Sequence, residues 1–179
     1  MSNTPPKTEG APRPTIRAAL DSDAAPLASL ISRLSRDEPY LVVSGVDPVT
    51  GVSLVSNGVS ADEQRFSPEI FVAELDGRLV GIAICRPHPG PERDTIIQLD
   101  MGVDAAFRRR GVGTALICHV VGWARKPRVH RIQLAVVAEN VAARSLYEKN
   151  GFALEGTLRQ GFRLEAQFHD VHVMARIVD

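Results

Sequence analysis

The chain has 179 residues, 44% of them apolar, which suits one domain with a sizeable core. Its 21 basic and 21 acidic side chains cancel to zero formal charge, which argues against a general nucleic-acid binder and leaves room for a local basic site. No apolar run reaches the ~18 residues of a membrane helix, and MSNTPPKTEGAPRP lacks the apolar stretch of a secretory signal.

Residues 1–13 therefore read as a disordered tail, followed by a single domain at 14–179 of a cytoplasmic protein without membrane or nucleic-acid partners. Residues 15–19 suit a first strand. Asp21, Ser22 or Asp23 then caps a helix in which Leu27, Leu30, Ile31 and Leu34 share one face. The pattern is lost over residues 35–62, where Gly45, Pro48, Gly51 and Gly58 form turns; long connections of this kind are often functional. EIFVAEL and RLVGIAIC form a hairpin about Asp76-Gly77, a pair suited to a type I′ turn. A third apolar run covers 95–103. Residues 111–125 are helical, with Val112, Leu116, Val120 and Trp123 on one face, and Pro127 ends that helix. RIQLAVV is a strand, Asn140 caps a helix that stops at Asn150-Gly151, and two strands follow, one from Phe152 and one over 170–178. Cys85 and Cys118 have no metal-site spacing and read as two buried, reduced thiols. The order gives a mixed α/β domain with one main sheet.

The stretch VDAAFRRRGVGTAL carries the first chemical signal. A strand ending at Val103 feeds a loop and then a helix with Gly111 and Gly113 in its first turn. The first N–H groups of a helix lack internal partners and, with the helix dipole, attract anions. Glycine admits a phosphate to the backbone, and Arg108, Arg109 and Arg110 add fork-shaped donors. A diphosphate cradle and a solvated surface turn both fit. The spacing matches neither a P-loop nor the dinucleotide fingerprint.

The second signal is ENVAARSLYEKNGF. Asn140, Ala143 and Tyr147 fall along one helical stripe, which offers an amide, a small residue and a phenol on one face. An N-cap, a filler and an amphipathic core residue describe the same three positions. Together, RxxGxG (Arg108, Gly111, Gly113) and NxxAxxLYxxxGF (Asn140, Ala143, Leu146, Tyr147, Gly151, Phe152) resemble the GNAT superfamily of acetyl-CoA-dependent N-acetyltransferases. Glu155-Gly156-x-Leu158-Arg159, His169-Asp170 and Met174 are similar to the branch holding ribosomal-protein alanine, amino-acid and antibiotic N-acetyltransferases.

The resemblance implies an α/β GNAT fold: a mixed, mostly antiparallel sheet, splayed between its fourth and fifth strands and flanked by helices. It implies acetyl-CoA as co-substrate, a primary amine as acceptor, often a homodimer, and no metal. The pyrophosphate loop would be Arg108, Arg109, Arg110, Gly111, Val112, Gly113 and Thr114. Met101 and Val103 would pair with the pantetheine arm, with the Val103 N–H as oxyanion donor. Asn140 and Ala143 would border the arm, and Tyr147 would be the general acid. For the base, Glu38, Asp100 and Asp170 stand open, Asp100 being preferred; Glu38 and Tyr40 are pocket candidates. His169-x-x-His172 is set aside as a metal site, because strand residues three apart face opposite ways. Trp123 and Phe107 read as packing. The cluster Arg125-Lys126-Arg128-His130-Arg131 fits a 3′-phosphate contact or a solvated helix end. Protein N-terminal or lysine acetylation and non-catalytic acyl-CoA binding are the alternatives to small-molecule acetylation.

Overall fold

A computed structural model describes residues 12–37, 68–87, 95–125 and 129–178. Residues 1–11 of the expected 1–13 tail, the pocket candidates Glu38 and Tyr40, and most of the irregular 35–62 segment lie outside the described residues. Among the described residues seven strands form one sheet: β1 (Thr15–Ala18), β2 (Glu69–Leu75), β3 (Arg78–Pro87), β4 (Ile96–Val103), β5 (Arg131–Val137), β6 (Ala153–Leu164) and β7 (Gln167–Ile177). Their order across the sheet is β1-β2-β3-β4-β5-β7-β6. Neighbours run antiparallel except β4 and β5, which are parallel. Among the described residues, three α-helices, α1 (Ala24–Asp37), α2 (Val112–Ala124) and α3 (Val141–Lys149), follow the expected order.

Period-two patterning sorts the two faces of the sheet. On one face Leu27, Leu30, Ile31 and Leu34 of α1 pack against Val72, Leu79, Ile82 and Ile84. On the other, Val112, Leu116, Ile117 and Val120 of α2 pack with Leu99, Ile132, Leu134, Tyr147 and Met174. Trp123 lies edge-on to Phe71, with ring centroids 5.5 Å apart, and half-buried Phe107 packs against the same core; both are packing residues, as expected.

The β2–β3 turn has Asp76 at φ 51° and Gly77 at φ 71°, the left-handed pair a type I′ turn needs. Two expectations are corrected. Cys85 is buried and its thiol is pushed up to about 12 by burial, then by Glu69, but Cys118 is exposed. The reason is helical phase: Cys118 stands two residues from both Leu116 and Val120 and so turns away from the stripe they form. The last strand begins at Gln167 rather than 170, and β6 runs to Leu164, joined through Glu165 at φ 52°. That turn carries no glycine or Asn-Gly signature.

Candidate active site

The gap in the sheet follows from pairing register. β4 and β5 pair only at Ile96–Arg131, Ile97–Ile132 and Gln98–Gln133, after which both strands continue unpaired with each other. The amide side chains of Gln98 and Gln133 meet at 3.3 Å where the strands part.

Register also settles which peptide groups face the gap. The Asp104 N–H donates to the Val80 carbonyl at 2.9 Å, so Val80–Asp104 is a hydrogen-bonded pair continuing the Gly81–Val103 register. In an antiparallel ladder alternate residues turn their peptide groups to opposite edges. Gly102 and Asp100 thus face β3, while Met101 and Val103 present N–H and C=O to the gap. The Thr95 carbonyl, of the same parity, accepts from Arg131 N–H at 3.0 Å on the β5 side, which fits this assignment. The Val103 carbonyl accepts from Arg108 Nε at 3.1 Å.

Beyond Val103 a short turn (Ala105–Phe107) leads to α2. Asp104 caps it, its Oδ1 accepting from the Ala106 N–H at 3.1 Å. Its Oδ2 accepts from Arg33 Nε of α1 at 2.8 Å, and Arg33 also reaches the Leu79 carbonyl. Burial pushes the Asp104 carboxyl upward, but the Arg33 and Ala106 hydrogen bonds outweigh it and hold the group below the usual carboxylate range. This buried carboxylate was missed by sequence reasoning. An Asp directly after an apolar strand and two residues before a turn N–H was the available signal.

The α2 N-cap is Gly111 at φ 79°, a left-handed conformation, and it makes no side-chain cap hydrogen bond. The N–H groups of Val112, Gly113 and Thr114 open the helix and have no intrahelical acceptors. Gly113 has a second reason: a Cβ there would stand 2.8 Å from Leu146 Cδ2 of α3. Of the three arginines, all exposed, Arg108 folds back on Val103, Arg109 adopts φ 60° and Arg110 lies 5.4 Å from the Phe107 ring centroid.

Asn140 is the N-cap of α3, its Oδ1 accepting from the Ala143 N–H at 3.1 Å. Ala143 is half-buried against the α2-side core. Tyr147 is buried in that core and packs on Phe152 with centroids 5.8 Å apart. Asp100 projects to the opposite face, since it alternates with Leu99 and Met101, which pack with Tyr147. There it is ion-paired with Arg86.

The other expected groups fall elsewhere. Asp170 Oδ1 accepts from the Gln160 N–H at 2.8 Å and so caps an irregularity in β6. His169 approaches Glu139 at 3.4 Å and His172 meets Thr157 at 2.9 Å, so the two imidazoles go to different partners. Arg131 holds Glu155 and sits beside Ile96, at the far end of β4 from Val103. Lys126 and Arg128 of the same basic cluster lie outside the described residues.

Residues 47–152 match the acetyltransferase (GNAT) family. The chain belongs to the GNAT acetyltransferase family. This GNAT acetyltransferase is 32% identical over 111 residues to the L-amino acid N-acetyltransferase AaaT of Escherichia coli, covering 60% of this chain and 67% of that one. It is 40% identical over 82 residues to N-acetylaspartate synthetase of Rattus norvegicus, covering 46% of this chain and only 27% of the relative's length. A GNAT-family acetyltransferase from Streptococcus pneumoniae superposes with a TM-score of 0.78 at 26% identity, covering 92% of this chain and 99% of that one. The fold is also that of yncA from Salmonella typhimurium, solved with its cofactor acetyl-CoA (TM-score 0.73, 18% identity, 93% of this chain and 94% of that one). Among the described residues no helix is long and apolar enough to cross a membrane.

Proposed function

We propose that this enzyme transfers an acetyl group from acetyl-CoA to a primary amine by direct attack in a ternary complex. The observation that carries the reading is the opened β4–β5 seam, whose gap-facing Met101 and Val103 peptides lead directly to the uncapped, glycine-started helix α2. Acetyl-CoA would supply an activated thioester. The N–H groups of Val112, Gly113 and Thr114, with Arg108, Arg109 and Arg110 near them, suit its pyrophosphate. Met101 and Val103 suit the pantetheine amides, and Val103 N–H is the candidate donor to the thioester oxygen as negative charge develops. Asn140 and Ala143 border the arm on the α3 side.

The amine attacks in its neutral form; a C–N bond forms, the C–S bond breaks, and the thiolate takes one proton. Tyr147 is the candidate donor of that proton. A phenol near pKa ~10 and a thiol near ~8.5 differ by only about 2 kcal/mol, so a hydrogen bond to the departing sulfur serves nearly as well as full transfer. Asp100, on the opposite face, is the candidate that relays the amine's protons to water. The relatives named for free amino acids favour a small acceptor over a protein N-terminus or lysine.

The test is thiol release from acetyl-CoA with a panel of amines, run beside calorimetry with CoA. Binding accompanied by amine-dependent thiol release is expected. CoA binding without thiol release across the panel assigns the chain to non-catalytic acyl-CoA binding, and absence of CoA binding overturns the reading altogether.

A further inference from the structure

On the α1 side of the sheet, beside the point where β4 and β5 part, runs a row of polar side chains. Asp100 of β4 stands opposite Ile84 in the ladder, so it shares the face of Ile84 and of Arg86, two residues further along β3. Arg86 and Asp100 form a diagonal cross-strand ion pair, both side chains largely but not fully covered at 23% and 19% exposure. Next to them Gln98 meets Gln133, and beyond Gln133 the Arg131–Glu155 pair closes the row. The apolar face of helix α1 packs on β2 and β3 residues.

The chemistry of the row is specific. It holds one cation and one anion side by side, two neutral amides, and a second matched pair, so it carries no net charge. A basic peptide would call for an acidic face and a polyanion for a basic one. An adjacent guanidinium and carboxylate match a ligand whose own ammonium and carboxylate sit on one carbon.

We propose that Arg86 is the specificity-determining residue of the acceptor site and that the acceptor is a free α-amino acid. The Arg86 guanidinium takes the α-carboxylate through its fork of donors, and Asp100 takes the α-ammonium, which sets the nitrogen beside the seam. The thioester sulfur belongs to the Tyr147 face, so the amine approaches from the Arg86–Asp100 face. This inference rests on the transferase reading above and adds the substrate class to it.

The experiment compares, with saturating acetyl-CoA and the full chain, each amino acid with its carboxamide and with the amine lacking the carboxylate. For the wild type, loss of the carboxylate is expected to raise acceptor KM about ten- to hundred-fold, the worth of a charge-assisted hydrogen-bond pair, with a smaller effect on kcat. Arg86→Met is expected to raise KM for the acid by a similar factor and to bring the acid-to-amide ratio toward one; Arg86→Lys restores part of the ratio. A merely structural role would penalise acid and amide equally. The wild-type comparison stands even if Arg86→Met folds poorly, which thermal melting would register. Equal use of acids and amides by the wild type, or an Arg86→Met ratio equal to wild type, overturns the inference and leaves acetyl transfer intact. CoA binding with no thiol release from any amine overturns both.

Discussion

A methyl group at position 113 would stand 2.8 Å from Leu146 Cδ2, inside van der Waals contact. Gly113→Ala therefore makes the free end of the Leu146 side chain shift, and should cost at most about 1 kcal/mol, the low end of overpacking, read as the midpoint in urea. Gly111→Ala acts by another route: a left-handed φ of 79° costs a residue with a Cβ roughly 1–2 kcal/mol. Tyr147→Phe keeps the ring against Phe152 and removes only the hydroxyl. Turnover should fall about a hundred-fold, the low end of general acid catalysis, while calorimetry gives nearly the same CoA affinity; wild-type turnover would remove the general-acid role. Residue-scale features were legible where a residue type has a property few others share, as with the left-handed Gly111 and Gly77. They were not legible where partners are distant in sequence. Nothing local in the sequence pairs Arg33 with Asp104, 71 residues away, or Arg86 with Asp100 on the following strand.

Elements were read well wherever one pattern dominated. The apolar stripe of α1, the Asp76-Gly77 hairpin and the Asn140 cap all stand where periodicity and turn chemistry put them. The β6–β7 hairpin extends beyond its expectation because its turn at Glu165 uses an uncommon left-handed acidic residue, and β6 is mostly exposed and so lacks alternation. At the junction of elements, Asp104 ties α1 to the turn that launches the α2 loop. Asp23, held low first by its Arg17 hydrogen bonds and then by the Leu20 N–H, ties β1 to the approach to α1. Both carboxyls have folded-state values below the ordinary one near ~4. Their stabilisation is present above that ordinary value and is lost as pH falls through the folded value. Asp104→Asn should lower stability at pH 7 by about 1–3 kcal/mol and flatten the acid limb of the stability–pH profile. Denaturant midpoints from pH 2 to 7 decide it; parallel wild-type and variant acid limbs would refute the linkage.

Across the whole molecule, two cores pack on opposite faces of one sheet, and the one beneath α2 includes residues of both strands that border the seam. Any ligand that fills the seam and binds only the folded chain stabilises it by mass action, by about 2.7 kcal/mol at a hundred times its Kd. A rise in melting temperature with CoA is expected, and a smaller one with a CoA fragment lacking the pyrophosphate. The family was legible because its two motifs lie on either side of that seam. The acceptor side was not, because its row of side chains comes from four strands that only the fold brings together. One consequence concerns the Met101 and Val103 peptides. The groups they aim into the seam belong to the main chain, so exchanging side chains one at a time would leave them in place and pass over them. Inserting or deleting a single residue between Ile97 and Val103 would do the reverse: every amide beyond the change would swap edges and every side chain would swap faces. Length, rather than residue identity, is what this strand cannot vary.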